Sequence, residues 1–237
     1  MPTRELIFIH GRSQEGKDSF ALKKEWIDTL KEGLTKSGLD LPIPEDRIRF
    51  PYYGDALDQL VAGVPPANAA QVVVRGPGGA EDPALQAFVA SVLEQAARRT
   101  ATAAGMTDAQ MESEIKAVAS AQGGGAQVVE RGLLNWGWVQ GVASFIDRHV
   151  PGGSGLSIGL FTRDVYLYIT DAGLKKRINT GVRAAMTPGV ESVVVGHSLG
   201  TVVSYTLLKD EGEAAGWNVH CTSPSVHHSP LRRSSNS

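Results

Sequence analysis

The sequence predicts an α/β fold built on a short, partial parallel sheet of about four strands with flanking helices. Two apolar runs carry that prediction. Leu6-Ile7-Phe8-Ile9 near the start and Val193-Val194-Val195 near the end are short and continuous, the pattern of strands buried on both faces. Each run leads through a glycine-bearing turn into a segment with helical spacing. Strands that alternate with helices build parallel sheets. The stretch between them changes character, which predicts a long helical insertion over 61–164.

Taken in order, the first strand ends at His10-Gly11-Arg12, and a polar loop runs through Asp18. Leu22, Trp26, Ile27, Leu30 and Leu34 recur at helical spacing, so a helix is expected from Phe20 to Leu34, closed by Gly38. Leu41-Pro42-Ile43-Pro44 reads as an extended linker, and Arg47 to Pro51 as a second strand that completes a βαβ unit. Tyr52-Tyr53-Gly54-Asp55 follows, expected either to line a site or to form an aromatic patch at the sheet edge.

Gly and Pro cluster in GVPPANAA and RGPGGAEDP, breaking regular structure at the start of the insertion. Helices are expected at Pro83–Arg99, Met106–Ala119 and Leu133–His149, with Thr107 and Gln110 forming a capping box. Glycine runs at 123–125 and 152–155 read as joints. The insertion is cap-like: hinged helices between two core strands suit a cover over a site. The alternative is helices that simply cover the sheet, and apolar faces alone do not distinguish the two. Two further helical pieces, Asp164–Ile169 and Ala172–Ala185, lead through Pro188-Gly189 to the Val193 strand. Asp164 and Asp171 read as N-cap and loop residues. A helix ending near Gly212 follows the strand, Trp217 to His220 open a fourth strand, and the polar, basic stretch 222–237 reads as a disordered tail.

Composition narrows the function. A hydrophobic content of 42% with 20% charged residues describes a globular protein. The net charge of −2 gives no reason to expect nucleic acid as a partner. Cys221 is the only cysteine, so no internal disulfide framework is possible. The first residues form no signal peptide and no segment reaches membrane-spanning length, which makes a cytoplasmic location the expectation. Neither composition nor pattern bears on oligomeric state.

The chemistry concentrates at Gly196-His197-Ser198-Leu199-Gly200. G-x-S-x-G between a strand and a helix is the pattern of a nucleophile elbow. A serine at so tight a turn has a strained backbone, and glycines beside it let strand and helix approach closely. Ser198 is the expected nucleophile. The N–H of Leu199 is one expected oxyanion donor; the other belongs to the loop after the first strand, at Gly11-Arg12, with the N–H of Arg12 as the natural candidate.

LIFIHG followed far downstream by VVVGHSLG resembles the α/β-hydrolase superfamily, specifically its lipase- and esterase-like members. The resemblance covers the core segments and not the insertion. It implies a mainly parallel sheet, a small-molecule ester or acyl substrate, an acyl-serine intermediate, and no metal or organic cofactor. His10 would lie near Ser198, at a position that in this family usually shapes the oxyanion loop, and His197 belongs to the elbow.

The family order places the acid and then the histidine after the serine. Only 39 residues, up to Ser237, follow Ser198, and no acid or base among them suits the role: Asp210 sits at the end of the elbow helix, and His227 and His228 lie in the expected tail. Read two nucleotides later, codons compatible with His220 onward begin with a forced leucine. They permit Leu-Tyr-Val-Thr-Leu-Gly-Ser-Pro-Leu, a buried strand with the turn such hydrolases carry next. The expectation is a frameshift near Val219 and a hydrolase truncated at its C-terminal end.

Two other readings stand beside it. Without acid and base, the chain could bind apolar ligands without turning them over. Gly11 to Lys17 also matches G-x-x-x-x-G-K, the phosphate-binding loop, yet Asp18 stands where a hydroxyl should hold Mg²⁺ and Glu15 adds a second negative charge. His220, Cys221, His227 and His228 match no standard zinc spacing.

Overall fold

The computed structural model describes residues 4–12, 14, 16–54, 82–122, 136–151 and 154–225. Among them are four strands in one parallel sheet and seven α-helices, an α/β fold. The chain divides into two compact units, one formed by Met1–Asp55 with Lys176–Ser237, the other by Ala56–Lys175.

The first unit holds the sheet, in the order β2-β1-β3-β4. Strand β1 (Arg4–Ile9) is buried at every position after its first. It pairs with β3 (Glu191–His197) from Arg4↔Glu191 to Ile9↔Gly196, and with β2 (Ile48–Arg49) at Leu6↔Ile48. Strand β2 is shorter than expected: Pro51 has no N–H to continue a ladder, and Phe50, partly buried, packs against the core cluster.

Helix α1 (Ser19–Lys36) covers one face of the sheet. Its Leu22 and Ile27 are buried, and Ile27 joins Leu6, Phe8, Ile43 and Ile48 in one cluster, with Trp26, Leu30, Val193 and Val195 packed against it. Burial of such side chains contributes about 1.5–3 kcal/mol each. Alternation along the strands sends Ile7, Ile9 and Val194 the other way, and all three are buried. Against that face runs α7 (Leu199–Glu211), with Leu199, Val203 and Leu207 buried. A bidentate pair between Arg183 and Glu211, at 2.7 and 2.8 Å, ties α7 to α6 (Ala172–Ala184).

Strand β4 (Asn218–Ser225) pairs in parallel with β3, with a register irregularity where Ser192 faces Val219 and Val193 faces Cys221. The expected tail beginning at 222 is therefore corrected: the backbone of 222–225 is strand, paired through His197↔Ser225. Residues 226–237 lie outside the described residues.

The second unit is a helical bundle with its own core. Helices α2 (Pro83–Ala103), α3 (Asp108–Gln122), α4 (Trp136–His149) and α5 (Gly155–Thr170) supply it. Leu85, Val89, Leu93, Met111, Ile115, Trp138, Val142, Phe145 and Ile146 form one buried cluster. The capping box is present, with Gln110 Oε1 accepting from the Thr107 N–H at 2.8 Å and Thr107 Oγ1 from the Gln110 N–H at 3.3 Å.

Two expectations are corrected here. The unit extends to Lys175 rather than stopping at 164, and α5 starts at Gly155 rather than Asp164. Ser154 caps α5 by accepting from Ser157 N–H at 3.1 Å. Gly155 is a packing residue and not a joint: a β-carbon there would lie 2.5 Å from Ala143 Cα. Asp164 consequently sits inside a helix, buried beside Arg163 at 3.5 Å, not at an N-cap. Asp171 does cap, accepting from Leu174 N–H at 2.9 Å at the start of α6. The joint expected at 123–125, residues 152 and 153 of the second expected joint, and the breaks expected over 61–81 lie outside the described residues.

Candidate active site

Topology alone marks one end of the sheet. The chain leaves β1 for β2 on one side and later returns on the other side as β3. The adjacent carboxyl ends of β1 and β3 are thus a switch point, where open α/β sheets bind ligands. Ile9 is in register with Gly196, so the residues that follow, His10-Gly11 and His197-Ser198, leave the sheet side by side.

Ser198 has φ 54° and ψ −126°, and it is the only non-glycine residue with positive φ among those described. Such a conformation costs about 1–3 kcal/mol and persists only where the surroundings impose it. The surroundings are the glycines. A β-carbon on Gly196 would lie 2.8 Å from Thr201 N, Thr201 Cα and Gly200 O. One on Gly200 would lie 2.6 Å from His10 O and collide with Ile9 O. Strand β3, helix α7 and strand β1 therefore approach as closely as backbone permits. Ser198 is half-buried at the joint, and its hydroxyl makes no hydrogen bond with the described residues.

Leu199 opens α7 with its side chain fully buried. Its N–H belongs to the first helical turn, whose donors have no intrahelical acceptor. Across from it stands Gly11: a β-carbon there would lie 2.6 Å from Ser198 Cβ, 2.9 Å from His197 O and 3.1 Å from Ser198 Oγ. The loop after β1 thus lies directly against the serine. Arg12 is half-buried beside it.

His10 lies where expected but is not available as a base. It is fully buried, its Nδ1 is 2.8 Å from Gly11 O, and its Nε2 is 3.0 Å from Tyr53 N. A peptide N–H can only donate and a carbonyl can only accept. The ring is therefore the neutral Nδ1–H tautomer, with both nitrogens committed. Burial holds its pKa below the usual histidine value, partly opposed by the Gly11 bond and reinforced by His197. His197 is half-buried and packs edge-on to Trp26 at 5.9 Å.

Sequence reasoning left the role of Tyr53 open. It is buried, stacks on His10 with ring centroids 4.0 Å apart, and donates its hydroxyl to His10 O. Its position one strand over from His10 was the available signal. Asp55 lies outside the described residues.

The phosphate-loop match has an electrostatic obstacle. Asp18 is the N-cap of α1, accepting from Ala21 N–H at 2.7 Å. A carboxylate thus occupies the helix N-terminus that would hold phosphate. Among the described residues no group of three or more His, Cys, Asp or Glu could hold a metal ion, and no helix is long and apolar enough to cross a membrane. His227 and His228 lie outside the described residues. Comparison with protein-family models, curated proteins and solved structures finds no match to this chain.

Proposed function

We propose that this chain is a serine hydrolase of the α/β-hydrolase type, acting on carboxylic esters through an acyl-Ser198 intermediate. The observation that carries the reading is the positive φ of Ser198 at the turn between β3 and α7, with Gly11 pressed against it. A strained serine at a strand-to-helix turn presents its hydroxyl above the sheet. In the acylation step Ser198 Oγ bonds to the ester carbonyl carbon, and the carbonyl oxygen becomes an oxyanion. The N–H groups of Leu199 and Arg12 receive that charge. The intermediate collapses, the ester C–O bond breaks, and the alcohol leaves with the serine proton. Water then cleaves the acyl-serine.

The described residues around Ser198 supply a nucleophile and oxyanion donors, while its hydroxyl meets no base among them. That observation favours a second reading: the serine acylates but deacylates slowly, so the chain holds an acyl group more than it turns esters over. Oxyanion donors and binding alone retain part of the rate enhancement of a serine hydrolase.

Stopped-flow hydrolysis of p-nitrophenyl esters separates these readings. A hydrolase gives steady turnover that vanishes in Ser198→Ala. An acyl-holding protein gives a burst near one equivalent with little turnover after it. Identical traces from wild type and Ser198→Ala would remove both.

A further inference from the structure

Assuming that Ser198 reading, we propose that Tyr52 and Tyr53 are positioning residues that set the direction of the second oxyanion donor, the Arg12 N–H. The peptide between Gly11 and Arg12 is planar. In a trans peptide the C=O and N–H point in opposite directions, and no cis peptide occurs among the described residues. Whatever fixes Gly11 O therefore fixes Arg12 N–H. His10 Nδ1–H fixes Gly11 O, at 2.8 Å.

His10 can serve this way only while its proton stays on Nδ1, and Tyr53 ensures that. The Tyr53 N–H occupies Nε2 at 3.0 Å, its ring lies parallel to the imidazole at 4.0 Å and 20°, and its hydroxyl holds the carbonyl of His10 itself. The main-chain N–H at position 53 thus holds the tautomer of His10 whatever the side chain, while the Tyr53 hydroxyl holds its backbone, and Tyr53→Phe removes the second hold alone. Tyr52 acts further along the loop. Its hydroxyl donates to Gln14 O at 2.5 Å, and Gln14 Nε2 donates to Arg12 O at 3.2 Å.

Two contacts show that this clamp is tight. A β-carbon on Gly54 would lie 2.8 Å from Gln14 C and O and from Tyr52 Oη. Tyr52 also packs against His10, with centroids 5.4 Å apart. Gln14 Oε1 is buried without a hydrogen-bond partner among the described residues, so the amide is oriented by its bond to Arg12 O and not by its own satisfaction. The peptides on either side of Arg12 are each held by one side chain, and a tyrosine backs each holder. A loop fixed at both peptides keeps its donor aimed before substrate arrives, which is the condition for oxyanion stabilisation without reorganisation.

The test is the kinetics of fluorophosphonate labelling of the full chain, for wild type, Ser198→Ala, Tyr53→Phe, Tyr52→Phe and the double variant. Tyr205→Phe, an exposed tyrosine on α7, serves as control. The rate constant reports donor alignment, and the final stoichiometry counts folded sites. Each phenylalanine variant is expected to label about 10- to 100-fold more slowly while still reaching one adduct per chain. The double variant should lose less than the product of the two, because both tyrosines hold one loop. Tyr205→Phe should match wild type. Wild-type rates in both variants, with Ser198→Ala unlabelled, would overturn the clamp and leave the serine reading intact. A fall in stoichiometry that tracks lost folded signal, at unchanged rate, would reduce the tyrosines to structural residues. Labelling of Ser198→Ala at the wild-type rate, or an inert wild type, would end the serine reading and the clamp with it.

Discussion

Gly11 and Ser198 occupy adjoining positions so close that glycine has no substitute: a β-carbon on Gly11 would stand 2.6 Å from Ser198 Cβ and 3.1 Å from its Oγ. Two residues far apart in sequence meet because Ile9 and Gly196 are in register on neighbouring strands.

Gly11→Ala should consequently displace either the loop after β1 or the serine. The expected result is a loss of about 100-fold or more in acylation rate, with a stability cost of about 1–3 kcal/mol from overpacking. Labelling kinetics and urea melts on the same preparation check both. Unchanged acylation would mean that the loop is not part of the site.

The backbone of Ser198 predicts an exchange of stability for function. At φ 54° and ψ −126° alanine keeps the strain and glycine relieves it. Ser198→Gly should therefore be more stable than Ser198→Ala by about 1 kcal/mol, the relief being partly offset by the extra freedom of glycine in the unfolded chain. Denaturant midpoints of the two variants decide it, and both should be inert.

Two helical glycines should respond in opposite directions. Gly200→Ala drives a methyl group into the backbone of β1 at Ile9 and His10, where no side chain can yield, so a loss of about 3 kcal/mol is expected. Gly181 in α6 has nothing within 4 Å of its would-be β-carbon, so Gly181→Ala should gain about 0.5–1 kcal/mol. Calorimetric melts of the two variants against wild type make the comparison.

His10 predicts an acid-side loss of stability. Its folded pKa lies below the ordinary value of 6.5 because burial disfavours the cation. Below 6.5 the unfolded chain takes up a proton that folded His10 refuses. Stability from neutral His10 is thus full above 6.5 and is lost as pH falls from there towards the folded pKa. Tyr52 and Tyr53 pack on the ring, and the charge interaction with His197 shifts it in the same direction. Melts from about pH 8 to about pH 5 should show a smaller acid-side decline in His10→Asn than in wild type. Equal slopes would place the titration elsewhere.

Much of this architecture was legible in local pattern. The apolar runs of β1 and β3, the amphipathic α1, and the G-x-S-x-G turn each follow from residue spacing. What escaped was set by tertiary contact. Gly155 reads as flexible in sequence, yet it is the first residue of a helix, and the close approach of Ala143 leaves room there only for glycine. Asp164 reads as a cap, yet Arg163 beside it allows burial within a helix. The bond between His10 and Tyr53 depends on bringing β1 beside β2, which no local pattern encodes. The polar residues 222–225 carry no strand signal of their own, and their extended form comes from pairing with β3.

The central claim, that Ser198 is the nucleophile, meets its most direct test in mapping the fluorophosphonate adduct by peptide mass spectrometry. The account predicts one adduct per chain, on Ser198 itself, absent from Ser198→Ala. An adduct on another residue, or equal labelling of the two proteins, would contradict it.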